Sequence, residues 1–110
     1  MNEVRLIGNL GQKPELHTSD KGVKVLKLSL ATNETYTDKG GNKVTKTDWH
    51  NLVLFGRRAE VVQQYCVQGS KLAVVGKLST RTYQDKNGGD RYITEVIVND
   101  ILFLDGKADK

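Results

Sequence analysis

The chain has 110 residues, enough for one domain with a thin core, and carries 17 Lys plus Arg against 13 Asp plus Glu, a net charge of +4 that suits a polyanionic partner without establishing one. The single cysteine, Cys66, excludes an internal disulfide and with it a disulfide-stapled secreted domain. No basic leader followed by an apolar run opens the chain, and no stretch reaches the ~20 apolar residues of a membrane span, so a cytosolic protein with no membrane partner is expected.

The dominant period is two. Val4 to Leu10 and Glu15 to Thr18 read as strands, separated by Gly11 and by Pro14, which cannot donate to a ladder. From about Val23, Leu26, Leu28 and Leu30 alternate with Lys27, Ser29 and Ala31, the pattern of a half-buried strand. A turn follows over 36–43, where Gly40-Gly41 supplies the positive φ of a hairpin tip. Thr45 to Phe55 returns as the partner strand, and the long hairpin is expected to extend beyond the core. The single convincing helix spans Ala59 to Gln68, with Val62, Tyr65 and Cys66 at i, i+3, i+4 and Gly69 as its stop. Lys71 to Tyr83 is the next strand, 85–90 a second turn, Arg91 to Asn99 a further strand, and Ile101 to Leu104 a short last one. One helix between the third and fourth strands of a small β domain predicts an all-β, five-stranded Greek-key barrel, the OB-fold, over residues 1–105, with a frayed end at 106–110.

Strand parity sorts the side chains by face. If Leu52 and Leu54 face the core, then Trp49, Asn51, Val53 and Phe55 stand on the outer face of their strand. On the next long strand Leu72, Val74, Gly76 and Leu78 suit the core. The outer set is Lys71, Lys77, Ser79, Arg81 and Tyr83. Tyr36 shares parity with Leu26, Leu28 and Leu30 and points inward along an unbroken strand unless a bulge or twist at the hairpin base re-aims it. Tyr65 and Tyr92 are assigned to packing. His50 shares parity with Leu52 and Leu54 and reads as a packed or interface histidine. An outer face of rings among cations is what a single-strand binder requires, because unstacked bases stack on rings and cations offset phosphate charge. Each aromatic taken alone is more often core than ligand platform, by roughly two to one, and a solvated face is the commoner fate of scattered lysines.

No Cys/His cluster has zinc spacing and no glycine-rich phosphate loop precedes the helix, so no cofactor, no metal and no catalysis are expected. The rival to DNA binding is an OB-fold module for protein assembly or RNA binding, since the fold alone does not fix its ligand.

Five segments, in order, carry a resemblance across about Asn2 to Leu104. Residues 9–15 (NLGQKPE), 49–56 (WHNLVLFG), 68–72 (QGSKL), 81–83 (RTY) and 90–96 (DRYITEV) resemble the motifs of the bacterial single-stranded DNA-binding protein family. That resemblance implies an OB-fold that assembles as a homotetramer with DNA wrapped around it, serving replication, recombination and repair in the bacterial cytosol or nucleoid. Its stacking aromatics fall on Tyr36, Trp49, Phe55 and Tyr83, of which the first and last are commonly Trp in the family. Its basic contacts fall on Lys39, Arg57 and Arg81, to which parity adds Lys77. Asn51, Gln68 and Ser79 stand where a cation is common. Family members usually continue into a glycine-rich linker with an acidic tip that recruits other proteins. This sequence stops at Lys110, so a tail-less or truncated form is expected, without tail-mediated recruitment.

Overall fold

The computed structural model describes residues 1–104 and contains six strands and one helix. The strands are β1 (Val4–Leu10), β2 (Glu15–Thr18), β3 (Lys24–Thr37), β4 (Lys43–Phe55), β5 (Lys71–Gln84) and β6 (Asp90–Phe103), with α1 (Gly56–Tyr65) between β4 and β5. The end expected to fray, 106–110, lies outside the described residues.

Five strands close on themselves. β1 pairs antiparallel with β5, β5 with β6, β6 parallel with β4, and β4 antiparallel with β3. The ring is completed where Asn9 and Leu10 of β1 meet Ala31 and Leu30 of β3. The short β2 takes the rest of the same β3 edge, from Glu15↔Lys27 to Thr18↔Lys24. β1 and β2 are thus two pieces of one edge, parted at Gly11 and Pro14 as expected. Counting barrel strands alone, α1 falls between the third and the fourth, the expected OB-fold order. Closure pairs the barrel strands with one another, and β2, paired on β3 alone, is an edge strand of only four residues.

The leucine alternation of β3 faces inward. Leu26, Leu28 and Leu30 meet Leu52 and Leu54 of β4, Leu72 and Val74 of β5, and Val96 and Val98 of β6, all buried. Fully burying each such side chain is worth about 1.5–3 kcal/mol. α1 packs on β2, β3 and β4 and contributes Ala59 and Val62 to this core. The helix is three residues out of the expected place at both ends. It starts at Gly56, immediately after extended Phe55, and ends at Tyr65, where Cys66 turns extended and its N–H makes the last helical bond to Val62. Gly69 is not the helix stop. It belongs to a separate turn in which the Ser70 N–H bonds to the Val67 carbonyl and the Val67 N–H to Ser70 Oγ.

Three further expectations are corrected. The last two strands are one, β6. A bulge absorbs Asn99 there, because Val75 pairs Asp100 while Gly76 pairs Val98. Leu78, placed in the core by parity, is 50% exposed although its partner Val96 is core, because the ladder between β1 and β5 ends at Val4↔Gly76, before it reaches Leu78. Tyr65 and Tyr92, assigned to packing, are both exposed. In addition, Val53 has outward parity but is only 4% exposed. It is flanked on the same face by Lys27 of β3 and Ile97 of β6. Among the described residues no helix is long and apolar enough to cross a membrane.

Candidate nucleic-acid interface

β4 and β6 pair in parallel only at Leu52↔Val96 and Val53↔Ile97. Both strands start at hairpin tips, so the β3–β4 and β5–β6 hairpins leave the barrel from the same end and spread apart. Their projection explains a radius of gyration of 16.1 Å, against roughly 13 Å for a compact domain of this length. Both tips use one turn design. Asp38 Oδ1 accepts from the N–H groups of Gly40 and Asn42, and Asp85 Oδ1 accepts from those of Asn87 and Gly89, each at 2.9 Å. Asp85 is also held by Arg91 Nε at 3.0 Å. That bond first, and the two backbone donors after it, lower its pKa below the ordinary carboxylate value.

The β3–β4 ladder runs without a bulge from Val25↔Phe55 to Thr37↔Lys43. Directly opposed residues share a face, so its faces can be assigned. Trp49, opposite Ala31, and Phe55, opposite Val25, stand on the outer face as expected, and both are exposed. Tyr36 keeps the parity of the leucines yet is exposed. No bulge re-aims it. It lies six residues beyond Leu30, roughly 20 Å along the strand, where no core remains beneath that face. Tyr36 and Trp49 therefore occupy opposite faces of one projecting hairpin. His50, on the inward face, is half-buried and its Nε2 lies 2.8 Å from Thr32 Oγ1, in keeping with the packed role expected of it.

Trp49 is 60% exposed, and its ring lies against the Gly11 backbone. A Cβ built on Gly11 would collide with the six-membered part of the indole. One side of the ring is thus occupied by the chain, at a point where only a glycine leaves room. We expect Gly11→Ala to swing the indole into water. The emission of this sole tryptophan would then shift to longer wavelength, while the melting temperature changes little. Unchanged emission would show that the ring does not rest on Gly11.

On the β5–β6 hairpin Lys77, Ser79, Arg81 and Tyr83 share the outer face with Ile97, Glu95, Ile93 and Arg91. Arg81 Nε lies 3.0 Å from Glu95 Oε1, and its Nη2 lies 3.5 Å from Oε2. The Arg81 carbon Cζ sits 5.9 Å from the centroid of the Tyr83 ring. The hydrogen bond to Glu95, and then its charge, raise the Arg81 pKa above its already high ordinary value. Glu95 is 5% exposed. Between the hairpins a cavity of about 140 Å³ is lined by Lys27, Ser29, Asn51, Arg81 and Glu95 among others.

The expected site residues therefore sort into groups. Trp49 and Phe55 share one face, Lys77, Arg81 and Tyr83 share another, and Arg81 touches Tyr83. Lys39 is exposed at the β3–β4 tip and Arg57 in the first turn of α1, next after Phe55 and Gly56. Three residues escaped the sequence reading. Gly11 was read only as a strand breaker and a motif residue, Glu95 only as part of a motif, and Lys86 only as part of a turn. Lys86 follows Asp85 as Lys39 follows Asp38, and the paired tips DKGGN and DKNGG are the signal that identifies it. Among the described residues no group of three or more His, Cys, Asp or Glu could hold a metal ion.

This arrangement has counterparts among known proteins. The chain aligns with 96% coverage of itself and of the other chain to a Plasmodium falciparum SSB complex with ssDNA, at 33% identity and a TM-score of 0.85. A deletion mutant of the single-stranded DNA binding protein from Thermus aquaticus aligns over 97% of this chain and 52% of that one, at 28% identity and a TM-score of 0.83. This chain thus spans about half the length of the second. The model of the single-strand binding protein family matches residues 1–104, the whole barrel with both hairpins, and the chain belongs to that family.

Proposed function

We propose that this chain binds single-stranded DNA without reading its sequence, as a homotetramer, and coats and protects exposed strands during replication, recombination and repair in the bacterial cytosol. The role is binding, without catalysis. The observation that carries it is Trp49, backed by Gly11 on one side and exposed at the end of the barrel from which both hairpins project. Bases stack on Tyr36, Trp49, Phe55 and Tyr83, Lys39, Arg57 and Lys77 supply positive charge along the path, and Arg81 belongs to the site beside Tyr83. Stacking is indifferent to base identity because every base has a π-face, and each stacked base is worth about 1–3 kcal/mol.

Assembly is supported by an apolar row on the outside of the barrel. Ile7 pairs Ala73, and Ala73 pairs Leu102, so the three share a face across β1, β5 and β6. Ile7 and Leu102 are both exposed in the single chain. Rows of this kind are normally covered by another surface.

Light scattering with and without oligo-dT tests both parts together. The expected mass is four times the 12.3 kDa chain, rising by bound DNA, with unlabelled poly-dT displacing the oligonucleotide more readily than poly-rU does. A monomer would contradict the assembly, and no mass gain with oligo-dT would contradict the ligand.

A further inference from the structure

Glu95 is a charged residue on a strand that would ordinarily face water, yet it is buried on the outer side of the β5–β6 hairpin, and Arg81 is its ion-pair partner. Arg81 approaches side-on through Nε and Nη2, the two-point geometry that fixes the plane of a guanidinium. Tyr83 is two residues along the same face, and that fixed plane lies within cation–π distance of its ring. A charge neutralised by a buried carboxylate and tied at two nitrogens is poorly placed to act as a free phosphate ligand. A flat group of fixed orientation is well placed to back a ring. Gly11 does the same for Trp49 with backbone alone.

We infer that Glu95 and Arg81 form a relay that positions Tyr83, with Glu95 anchoring Arg81 and Arg81 supporting one face of the ring so that the other stays presented to a base. Both are positioning residues, and Arg81 acts on DNA through Tyr83 rather than through phosphate charge. This rests on the single-strand-binding reading above. A phosphate ligand is defined by its charge, whereas a ring support is defined by its plane and its anchor, so substitutions separate the two roles.

Two measurements on the full chain test the relay. The first needs no DNA. In NMR spectra of the free protein, the Tyr83 ring resonances are expected to move in Arg81→Lys and in Glu95→Gln, which preserves side-chain size and removes the charge, and not in Lys77→Gln. Tyr83 resonances unmoved by both variants would overturn the relay whether or not the protein binds DNA. The second is affinity for oligo-dT across a salt series. Arg81→Lys, which retains the charge but not the plane, is expected to weaken binding by about as much as Tyr83→Ala does, roughly tenfold, with an unchanged salt slope. In a Tyr83→Ala background, Arg81→Lys should cost nothing more. If Arg81→Lys binds like the wild type, or Arg81→Gln lowers the salt slope by about 0.7 and costs as much with Tyr83 absent as with it present, Arg81 is a phosphate ligand and the inference fails. Absence of all oligo-dT binding in the wild type would instead contradict the proposed function, and the NMR comparison would still decide the relay.

Discussion

Trp49→Ala is expected to weaken binding to oligo-dT by about 1–3 kcal/mol, roughly five- to 150-fold in Kd. The melting temperature should change little, because the substitution removes an exposed ring and an exposed change typically moves stability by no more than about 0.5 kcal/mol. The ring makes little core contact. It stands on the outer face of β4, opposite Ala31, and lies on Gly11. Removing it opens no cavity in the leucine cluster. Affinity measured by anisotropy of a labelled oligonucleotide, beside thermal unfolding of the free variant, separates the two effects. A variant that unfolds would show that the indole is packing.

Leu52→Ala, three residues along the same strand, should do the opposite. Leu52 is fully buried and meets the leucines of β3 and, across the parallel pair, Val96 of β6. Truncating a buried leucine costs about 2–5 kcal/mol, the transfer term plus the cavity left behind. At roughly 4–8 °C per kcal/mol this lowers the melting temperature by about 10 °C or more. Protein concentration must be held fixed, because assembly adds to apparent stability. At temperatures where the variant remains folded, its affinity for oligo-dT should be close to wild type, because the outer face is untouched. Equal melting temperatures for Leu52→Ala and the wild type would place the core elsewhere.

The contrast between these neighbours was readable in advance because it depends only on the period of a strand. Leu26, Leu28, Leu30, Leu52 and Leu54 can share a side only if Trp49 and Phe55 take the other, and the closed barrel follows that rule. Parity does not tell where the barrel ends. Leu78 and Tyr36 both carry inward parity and both are exposed, Tyr36 because its strand continues past the last layer of core and Leu78 because β1 stops pairing with β5 at Gly76. Strand length relative to the barrel is a three-dimensional property with no periodic signature. Nor does parity reveal what covers an outer face. Val53 points outward and is buried by flanking strands, and Glu95 points outward and is buried beside Arg81. The helix was misplaced by three residues because its first turn, Gly56-Arg57-Arg58, contains no apolar residue to start a periodic count. Gly11 matters for a contact with a residue 38 positions later, which no local pattern announces.

The site has a simple physical logic. Tyr36 and Tyr83 are carried on hairpins that project beyond the core, and Trp49 and Phe55 on the outer face of β4, so exposing them costs the fold little. Small or fixed groups behind them, the Gly11 backbone behind Trp49 and the Arg81 guanidinium beside Tyr83, limit the directions those rings can take. Less orientational freedom is then lost when a base arrives, which is how preorganisation raises affinity without adding a contact.

The central claim is that a base stacks on the open face of Trp49, and the direct measurement is the fluorescence of this single tryptophan during titration with oligo-dT at several salt concentrations. The account predicts saturable quenching, with a midpoint that moves to weaker binding as salt rises at a slope of roughly −0.7 per neutralised phosphate. Unchanged fluorescence while a labelled oligonucleotide is demonstrably bound would contradict it.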